Sequence, residues 1–289
     1  MDDLFGLIDL DLDYYREIHR DLIHFDDDQL RRHYYKHGYS EGRLCHRRAR
    51  KEDLVASLSG MKSLEIGPFV SPQLIHENVK YLDVLSREEL IARAKILGKP
   101  TERVPFIDFV SRDGSLRKIT ETFDVVFSSH NFEHQPDPIS HLNGVSALLN
   151  PGGVFAMMVP DARYCFDAEL PLSKISDIFN AHWEKRKRHT LGSVIEHRAL
   201  ITHNNSKKHW AKKDAKVYRP INGAKVAAAI AEFESAGENY IDVHAWQFEP
   251  LSLSDLLRTL IELGYIDFKS VSCRGPVRDR NEFAVELLK

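Results

Sequence analysis

The stretch Glu65-Ile66-Gly67 closes one apolar segment, and Asp83 lies at the end of the next, Val79 to Val84. A glycine at the end of a strand lets the backbone turn sharply and approach a ligand closely. An acid at the end of the neighbouring strand can accept both hydroxyls of a ribose. The glycine-rich cradle for a pyrophosphate is missing, since Phe69 and Ser71 stand where further glycines would. The combination suits a ligand with a ribose and no pyrophosphate, and S-adenosylmethionine is such a ligand. A second group, His130, Glu133 and His134, follows the apolar run Phe123 to Ser129. Imidazole is the side chain matched to proton transfer near neutral pH, and a carboxylate beside it can orient the ring or bind a metal. Polar residues cluster again at Asp161, Arg163, Tyr164 and Asp167, at Glu196, His197, Arg198, His203 and Asn204, and at Asp242, His244 and Trp246.

Caps and turns mark the elements that must hold these groups. Ser63 to Gly67, Val79 to Val84, Val104 to Val110, Phe123 to Ser129 and Val154 to Val159 read as strands, and the sequence around Asp267 to Val271 and Glu282 to Leu288 as two closing ones. Ser86 with Glu89 forms a capping box for a helix stopped by Gly98. Asp137 and Pro138 supply the cap and first position of another. Asp26 with Gln29 opens a helix near the amino terminus, with Gly38 as its expected stop, and Ser252 with Asp255 opens one that Gly264 ends. Asn150 to Gly153 reads as a turn, and residues 222–237 as a helix. Nearly continuous apolar strands alternating with helices predict an α/β fold, a mostly parallel seven-stranded sheet with helices on both faces. Residues 1–50, with their own caps and an acidic start, read as a small N-terminal helical accessory element outside that sheet. Residues 51–289 form the main domain, and 160–243 break the rhythm as a long insert after strand 5.

The totals bound the class. Hydrophobic residues are 43%, charged residues 29%, and the net charge is −3, which gives no reason to expect nucleic acid. Cys45, Cys165 and Cys273 lie far apart, so neither a disulfide framework nor a cysteine zinc site is expected. No apolar run reaches the length of a membrane span, and a cytoplasmic location is expected. The basic run Arg43 to Lys51 reads as a solvated linker or as a contact for phosphates.

"SLEIGPF", "YLDV", "FDVVFSSHNFEHQPDP" and "LLNPGGVFAMMVPD" occur in the order and spacing of the class I S-adenosylmethionine-dependent methyltransferases, which the chain resembles over about 63–160 and again from His244 onward. The resemblance implies a Rossmann-like sheet and S-adenosylmethionine as cofactor. It places Glu65, Gly67 and Pro68 against the methionine and ribose parts, Asp83 on the ribose, and Ser128, Ser129 and His130 along the methyl-transfer cleft. Asp113-Gly114 aligns with the family's acid near the adenine, although Asp-Gly is also an ordinary turn pair. The first loop departs from the pattern, with Gly67-Pro68-Phe69 in place of a glycine-rich turn, and residues 67–79 are short for a crossover helix. "EIGPF", "HYYKHGYSEGR", "PDARYCFD" and "IEHRALITHN" resemble a subgroup associated with surface polysaccharide synthesis.

That resemblance implies O-methylation of a sugar hydroxyl on a glycan or polysaccharide, with glycosyltransferases of the same pathway as partners. Small-molecule or lipid-linked methyl transfer, and a non-catalytic glycan-binding scaffold, stand as alternatives. His134 is the expected general base, with His130 as the second candidate. Asp161, Arg163, Tyr164, Arg198, His203, Asn204 and His244 are the expected acceptor contacts, since sugars are held by charged hydrogen bonds and aromatic faces. They could equally form a polar lid packed on itself. No histidine spacing matches a metal motif, so no resident metal is expected.

Overall fold

The computed structural model describes residues 4–211 and 220–289. Asp2 and Asp3 of the acidic start, and Lys212, Lys213 and Lys216 of the second basic stretch, lie outside the described residues. The strands are β1 (Ser63–Ile66), β2 (Val79–Asp83), β3 (Phe109–Val110), β4 (Phe123–Ser129), β5 (Leu149–Pro160), β6 (Ser270–Arg274) and β7 (Glu282–Leu288). They form one seven-stranded sheet in the order β3-β2-β1-β4-β5-β7-β6. The pairings from β3 across to β5 are parallel, and both pairings made by β7 are antiparallel. The order reverses between β1 and β4, where Ile66 is in register with Ser128. A crevice at such a reversal, at the carboxyl ends of the strands, is where open α/β sheets bind ligands.

The helices are α1 (Leu12–Ile18), α2 (Asp27–His33), α3 (Tyr39–Glu41), α4 (Lys51–Ser57), α5 (Arg87–Ile96), α6 (Pro138–Ala147), α7 (Ile175–Trp183), α8 (Leu191–Ile195), α9 (Ser206–Ala211), α10 (Gly223–Ala236) and α11 (Pro250–Glu262). Alternation along the strands sends side chains to two faces. Val126 and Phe155 join one apolar cluster with residues of α6 and α11, while Val125 and Phe127 join another with Leu54 of α4 and Leu74. Both faces are therefore covered, as buried parallel strands require. The caps at Ser86/Glu89 and Asp137/Pro138 form as read from the sequence, and the helix read at residues 222–237 forms with Asn222 as its cap.

Four local readings change. The Asp26/Gln29 capping box forms, but the helical path runs on through a π-helical turn (Tyr34–Gly38) and ends at Gly42, which has φ +67°. Gly38 keeps a right-handed conformation, and a Cβ there would fall on the Tyr15 hydroxyl. Its lack of a side chain serves packing, not termination. The last long helix starts at Pro250 with Glu249 and Ser252 as its capping box, because proline suits the first helical turn. Residues 150–153 are part of β5, and only Phe109–Val110 of the third apolar run pair as strand. Residues 67–78 contain no helix, so β1 and β2 are joined by a loop.

Among the described residues, no strand precedes β1, yet the first fifty residues share the main core. Tyr15, Leu30 and Tyr34 are fully buried and cluster with Phe283 and Val285. Tyr34 donates to the Gly275 carbonyl (2.8 Å), and the Asp9 amide donates to that of Cys273 (2.8 Å). Arg274, 2% exposed, pairs with Glu286 and with Asp9 (2.8 Å). Arg48 reaches Glu286 (3.0 Å) and Lys51 reaches Glu282 (3.1 Å). Arg43 pairs with Asp21 and Glu41, and Arg47 with Asp11. Arg43, Arg47, Arg48 and Lys51 of the basic run are thus paired with carboxylates of the chain. Arg274→Ala leaves Glu286 buried beside one half-exposed arginine. Breaking a buried pair costs about 3–5 kcal/mol, and urea unfolding of the variant should show a loss of that order, against less than about 1 kcal/mol for Arg47→Ala at the surface.

Candidate active site

At the reversal point, the loops after β1 and β4 meet. Gly67 has φ +71°, and a Cβ on it would stand 3.3 Å from Asn131 Nδ2. Phe69 and His130, neither of them glycine, also adopt positive φ of 43° and 51°. Such conformations cost roughly 1–3 kcal/mol each and gather at functional sites. They persist here because neighbouring strands fix the loop ends: the Gly67 amide donates to Leu82, and the His130 amide to Met158.

Glu65 is 2% exposed on β1. Its carboxylate accepts the amides of Gln73 (2.9 and 3.0 Å) and Leu74 (2.8 Å), so it folds the loop after β1 back onto the strand. Burial pushes its pKa up to about 7, against the pull of those two amides. Asp83 is 8% exposed at the end of β2, with Oδ1 accepting the Leu85 amide (3.1 Å). Burial raises its pKa, opposed by the Leu85 and Val84 amides and by Arg93. The Phe69 ring, on the first loop, lies under Arg93 and Lys99. Ser128 is fully buried and its Oγ has no hydrogen-bond partner. Asp113 is committed to its own turn: Oδ1 accepts the Ser115 amide (3.1 Å) and the Ser111 hydroxyl (3.1 Å), and Gly114 takes φ +68°. That is the turn reading, and no hydrogen bond, ion pair or ring contact joins Asp113 to the loops at Gly67 or His130.

After β4, a short 3₁₀ turn (Phe132–His134) carries Glu133, 1% exposed, with neither oxygen hydrogen-bonded. Three imidazoles face it: His130 Nδ1 at 3.8 Å, His134 Nε2 at 3.7 Å and His244 Nε2 at 3.6 Å. The far nitrogen of each ring lies against another carboxylate. His130 Nε2 is 2.8 Å from Glu282, His134 Nδ1 is 3.0 Å from Asp242, and His244 Nδ1 is 2.7 Å from Asp167. The segment carrying His244 is tied to the backbone carbonyls of the turn. The Ala245 amide donates to the Glu133 carbonyl (2.9 Å), Tyr240 to that of His134 (3.1 Å) and Trp246 to that of Gln135 (2.6 Å). Burial disfavours charge on His130 and His134, yet Glu282, Asp242 and Glu133 outweigh it, and both pKa values lie above the ordinary histidine value. His134 and then Arg93 hold Asp242 well below the usual carboxylate range.

The insert residues separate into groups. His197, on a π-helical turn (Glu196–Leu200), accepts the His244 amide (3.0 Å), and burial lowers its pKa to about 4. Phe166 packs against both rings. Arg198 pairs with Glu232 (2.9 Å) and donates to the Asp242 carbonyl (3.2 Å), so it braces the segment before His244. Asp161 and Arg163 neutralise each other (2.6 Å), with Glu249 on the same guanidinium (2.7 Å), and Tyr164 stacks on Trp210. His203 and Asn204 are exposed, with His203 stacked on His209. No hydrogen bond, ion pair or ring contact joins Asp161, Arg163, Tyr164, His203 or Asn204 to the cluster around Glu133. Glu282 is legible in the sequence only as the first residue of a closing strand and not as a site residue, because it lies 152 residues beyond His130 and carries no motif. A surface hollow of about 630 Å³ lined by Lys62, Glu77, Lys80 and Asp108 lies at the amino ends of the strands, the end opposite these loops.

A family model described as a methyltransferase domain matches residues 45–210. Among solved structures, the chain is similar to an S-adenosylmethionine-dependent methyltransferase from Thermotoga maritima, at 13% identity over 96% of this chain and 98% of that one, with a TM-score of 0.40. It is similar to an O-methyltransferase from Bacillus cereus in complex with SAH, at 13% identity over 83% and 80%, with a TM-score of 0.36. A third, an S-adenosylmethionine-dependent methyltransferase from Clostridium acetobutylicum, matches at 16% identity over 38% of this chain and 47% of that one, with a TM-score of 0.27. The chain thus spans less than half the length of that third protein, and at these scores nothing about acceptor or chemistry passes from any of them. Among the described residues, no helix is long and apolar enough to cross a membrane.

The Glu65 site makes stability depend on pH. Between about pH 4.5 and about 7 the folded chain keeps a proton that the unfolded chain has released, so Glu65's contribution falls as pH rises through that window. The full span is on the order of 3 kcal/mol. Glu65→Gln should flatten this part of the stability–pH profile measured by chemical denaturation.

Proposed function

This chain belongs to the methyltransferase-domain family and uses S-adenosylmethionine, and on that premise we propose that it methylates a sugar hydroxyl of a glycan. The residues at the reversal point fit the cofactor. Asp83 is a buried carboxylate with one amide on Oδ1, and a carboxylate's remaining lone pairs can take a ribose diol. Gly67 leaves the space a side chain would fill beside Asn131, and the unpartnered Ser128 hydroxyl lies in the β4 floor. Gly67 and Pro68 serve through their backbone turn, held by Glu65, while Ser129 and His130 carry the chain out of β4 toward the acceptor.

The observation that carries the reading is the carboxylate-backed histidine group on the turn after β4, beside that crevice. The sulfonium supplies an already activated methyl group, so the chain's part is to hold an acceptor oxygen in line and exclude water. His134 serves as general base or orients the acceptor hydroxyl. Phe166 and His197, packed around His244, and the half-exposed Tyr240 on the His134 carbonyl supply a wall of aromatic faces with polar edges, the combination sugars require. Arg198 and His244 belong to this wall.

Asp83→Ala removes a charge-assisted bond worth roughly 1.5–3 kcal/mol, and calorimetry should show S-adenosylhomocysteine binding about ten- to a hundredfold more weakly. An unchanged dissociation constant would remove Asp83 from the site. His134→Ala should leave that affinity nearly intact while turnover falls about 10²–10⁴-fold. The acceptor class is tested with methyl-labelled cofactor against sugar nucleotides and oligosaccharides, with the product position read by NMR. Methyl ether formation is expected. Transfer to an amine or carbon acceptor, with none to any glycan, overturns the glycan assignment.

A further inference from the structure

Glu133 is a buried carboxylate whose hydrogen-bonding capacity the surrounding cluster leaves unmet. Its carboxylate is 1% exposed, and both oxygens lack a hydrogen bond. A buried carboxylate that accepts no hydrogen bond is strongly unfavourable. The surrounding imidazole nitrogens stand 3.6–3.8 Å away, beyond the 2.7–3.2 Å of a hydrogen bond. One donor atom from each of Glu133, His134 and His244 lies within 4.8 Å of the others. Two ligands that share a tetrahedral ion at about 2.0–2.1 Å stand roughly 3.3–3.4 Å apart. The gap around Glu133 is therefore too wide for hydrogen bonds and near the width that a shared ion sets.

We propose that Glu133, His134 and His244 bind a divalent first-row transition ion, of the zinc or manganese class, with His130 at the edge of the site. Two imidazoles and a carboxylate favour such ions over magnesium or calcium, which prefer all-oxygen shells. The outer contacts are those of a metal centre. Asp167 lies on the far nitrogen of His244 and Asp242 on that of His134, each leaving Nε2 to face inward. A carboxylate on the second nitrogen fixes a ligating histidine's tautomer and orientation. Glu133 and His244 are sequestered, while the His134 side chain is 22% exposed and gives the ion an entry path. Three protein ligands leave positions open. Under the methyltransferase reading above, on which this role rests, His134 orients the acceptor through the ion it ligates, in place of direct proton transfer, and the open positions receive oxygens of the acceptor, such as a vicinal diol. Ion binding itself does not depend on that reading.

The test uses the full chain free of any affinity tag, stripped with EDTA and desalted. Incubation with zinc, manganese or magnesium chloride, a second desalting step and elemental analysis should find one equivalent of zinc or manganese per chain and no retained magnesium. Cobalt chloride should give visible ligand-field bands, and the ion should raise the melting temperature. Glu133→Gln, which keeps the shape of the buried side chain, and His244→Ala should each abolish retention and the cobalt bands. Asp167→Asn, at a positioning residue, should weaken binding about 10–100-fold. Wild-type chain that retains no ion and gives no cobalt bands overturns the proposal. So does undiminished retention in a folded Glu133→Gln variant. Calorimetry with S-adenosylhomocysteine on the stripped chain separates the two readings. Intact cofactor binding without any metal uptake sinks only the ion, and metal uptake without cofactor binding sinks only the methyltransferase site.

Discussion

Buried carboxylates at the carboxyl edge of the sheet are the constraint around which the remaining parts are arranged. A carboxylate removed from water must be matched, because its desolvation costs several kcal/mol and an unpaired partner is worse than none. Glu282 and Glu286 on β7 are both less than a tenth exposed. They draw in His130 from the β4 turn, Lys51 from the start of α4, Arg48 from the basic run and Arg274 from β6. Asp161, at the end of β5, is matched by Arg163, which in turn takes Glu249 at the cap of α11. The N-terminal element, the insert and the antiparallel strand are thus fastened to one edge by charge as well as by apolar packing.

Glu133 stands at the centre of that edge and differs from the others in that neither of its oxygens accepts a hydrogen bond. The elements around it are fixed by contacts that do not involve its side chain. The Tyr240 hydroxyl and the Trp246 indole, donating to carbonyls of the turn, hold the return segment, Arg198 braces it, and Arg93 ties Asp242 back to α5. Rigid placement of ligating and orienting groups by supporting contacts is what a functional site needs. The positive φ at Phe69 and His130 belongs to the same economy of structure, since both residues flank the crevice and both are anchored by the ends of strands.

The first loop shows how a shortened motif still builds a site. Without a glycine-rich run or a crossover helix, the segment from Gly67 to Asn78 is shaped from beneath by Glu65, whose carboxylate takes two amides of the loop. Tyr81 donates to the Leu74 carbonyl on the same loop, and Phe69 closes its outer side beneath Arg93 and Lys99. A conformation that glycines would permit is here held by a buried acid.

The sequence by itself determined the elements whose stabilising contacts span a few residues. The Ser86/Glu89 and Asp26/Gln29 boxes and the Asp137-Pro138 start are local hydrogen bonds and fixed dihedrals, so residue types three apart suffice to read them. Apolar continuity likewise announced the buried strands, and Glu65, Gly67 and Asp83 marked the ends of β1 and β2. The function of Gly38 was hidden, because the hydroxyl it makes room for comes from Tyr15 on another helix. The start of α11 shifted to Pro250 because Glu249, a less usual cap, pairs with Ser252. Only the tertiary structure decided that the Glu65 carboxylate turns inward to its own loop and that Asp113 closes a turn. It alone brought His244 and Glu282 to the histidines after β4. Those meetings depend on strand order and on the path of the insert, and no spacing in the chain records a contact whose two halves are more than a hundred residues apart.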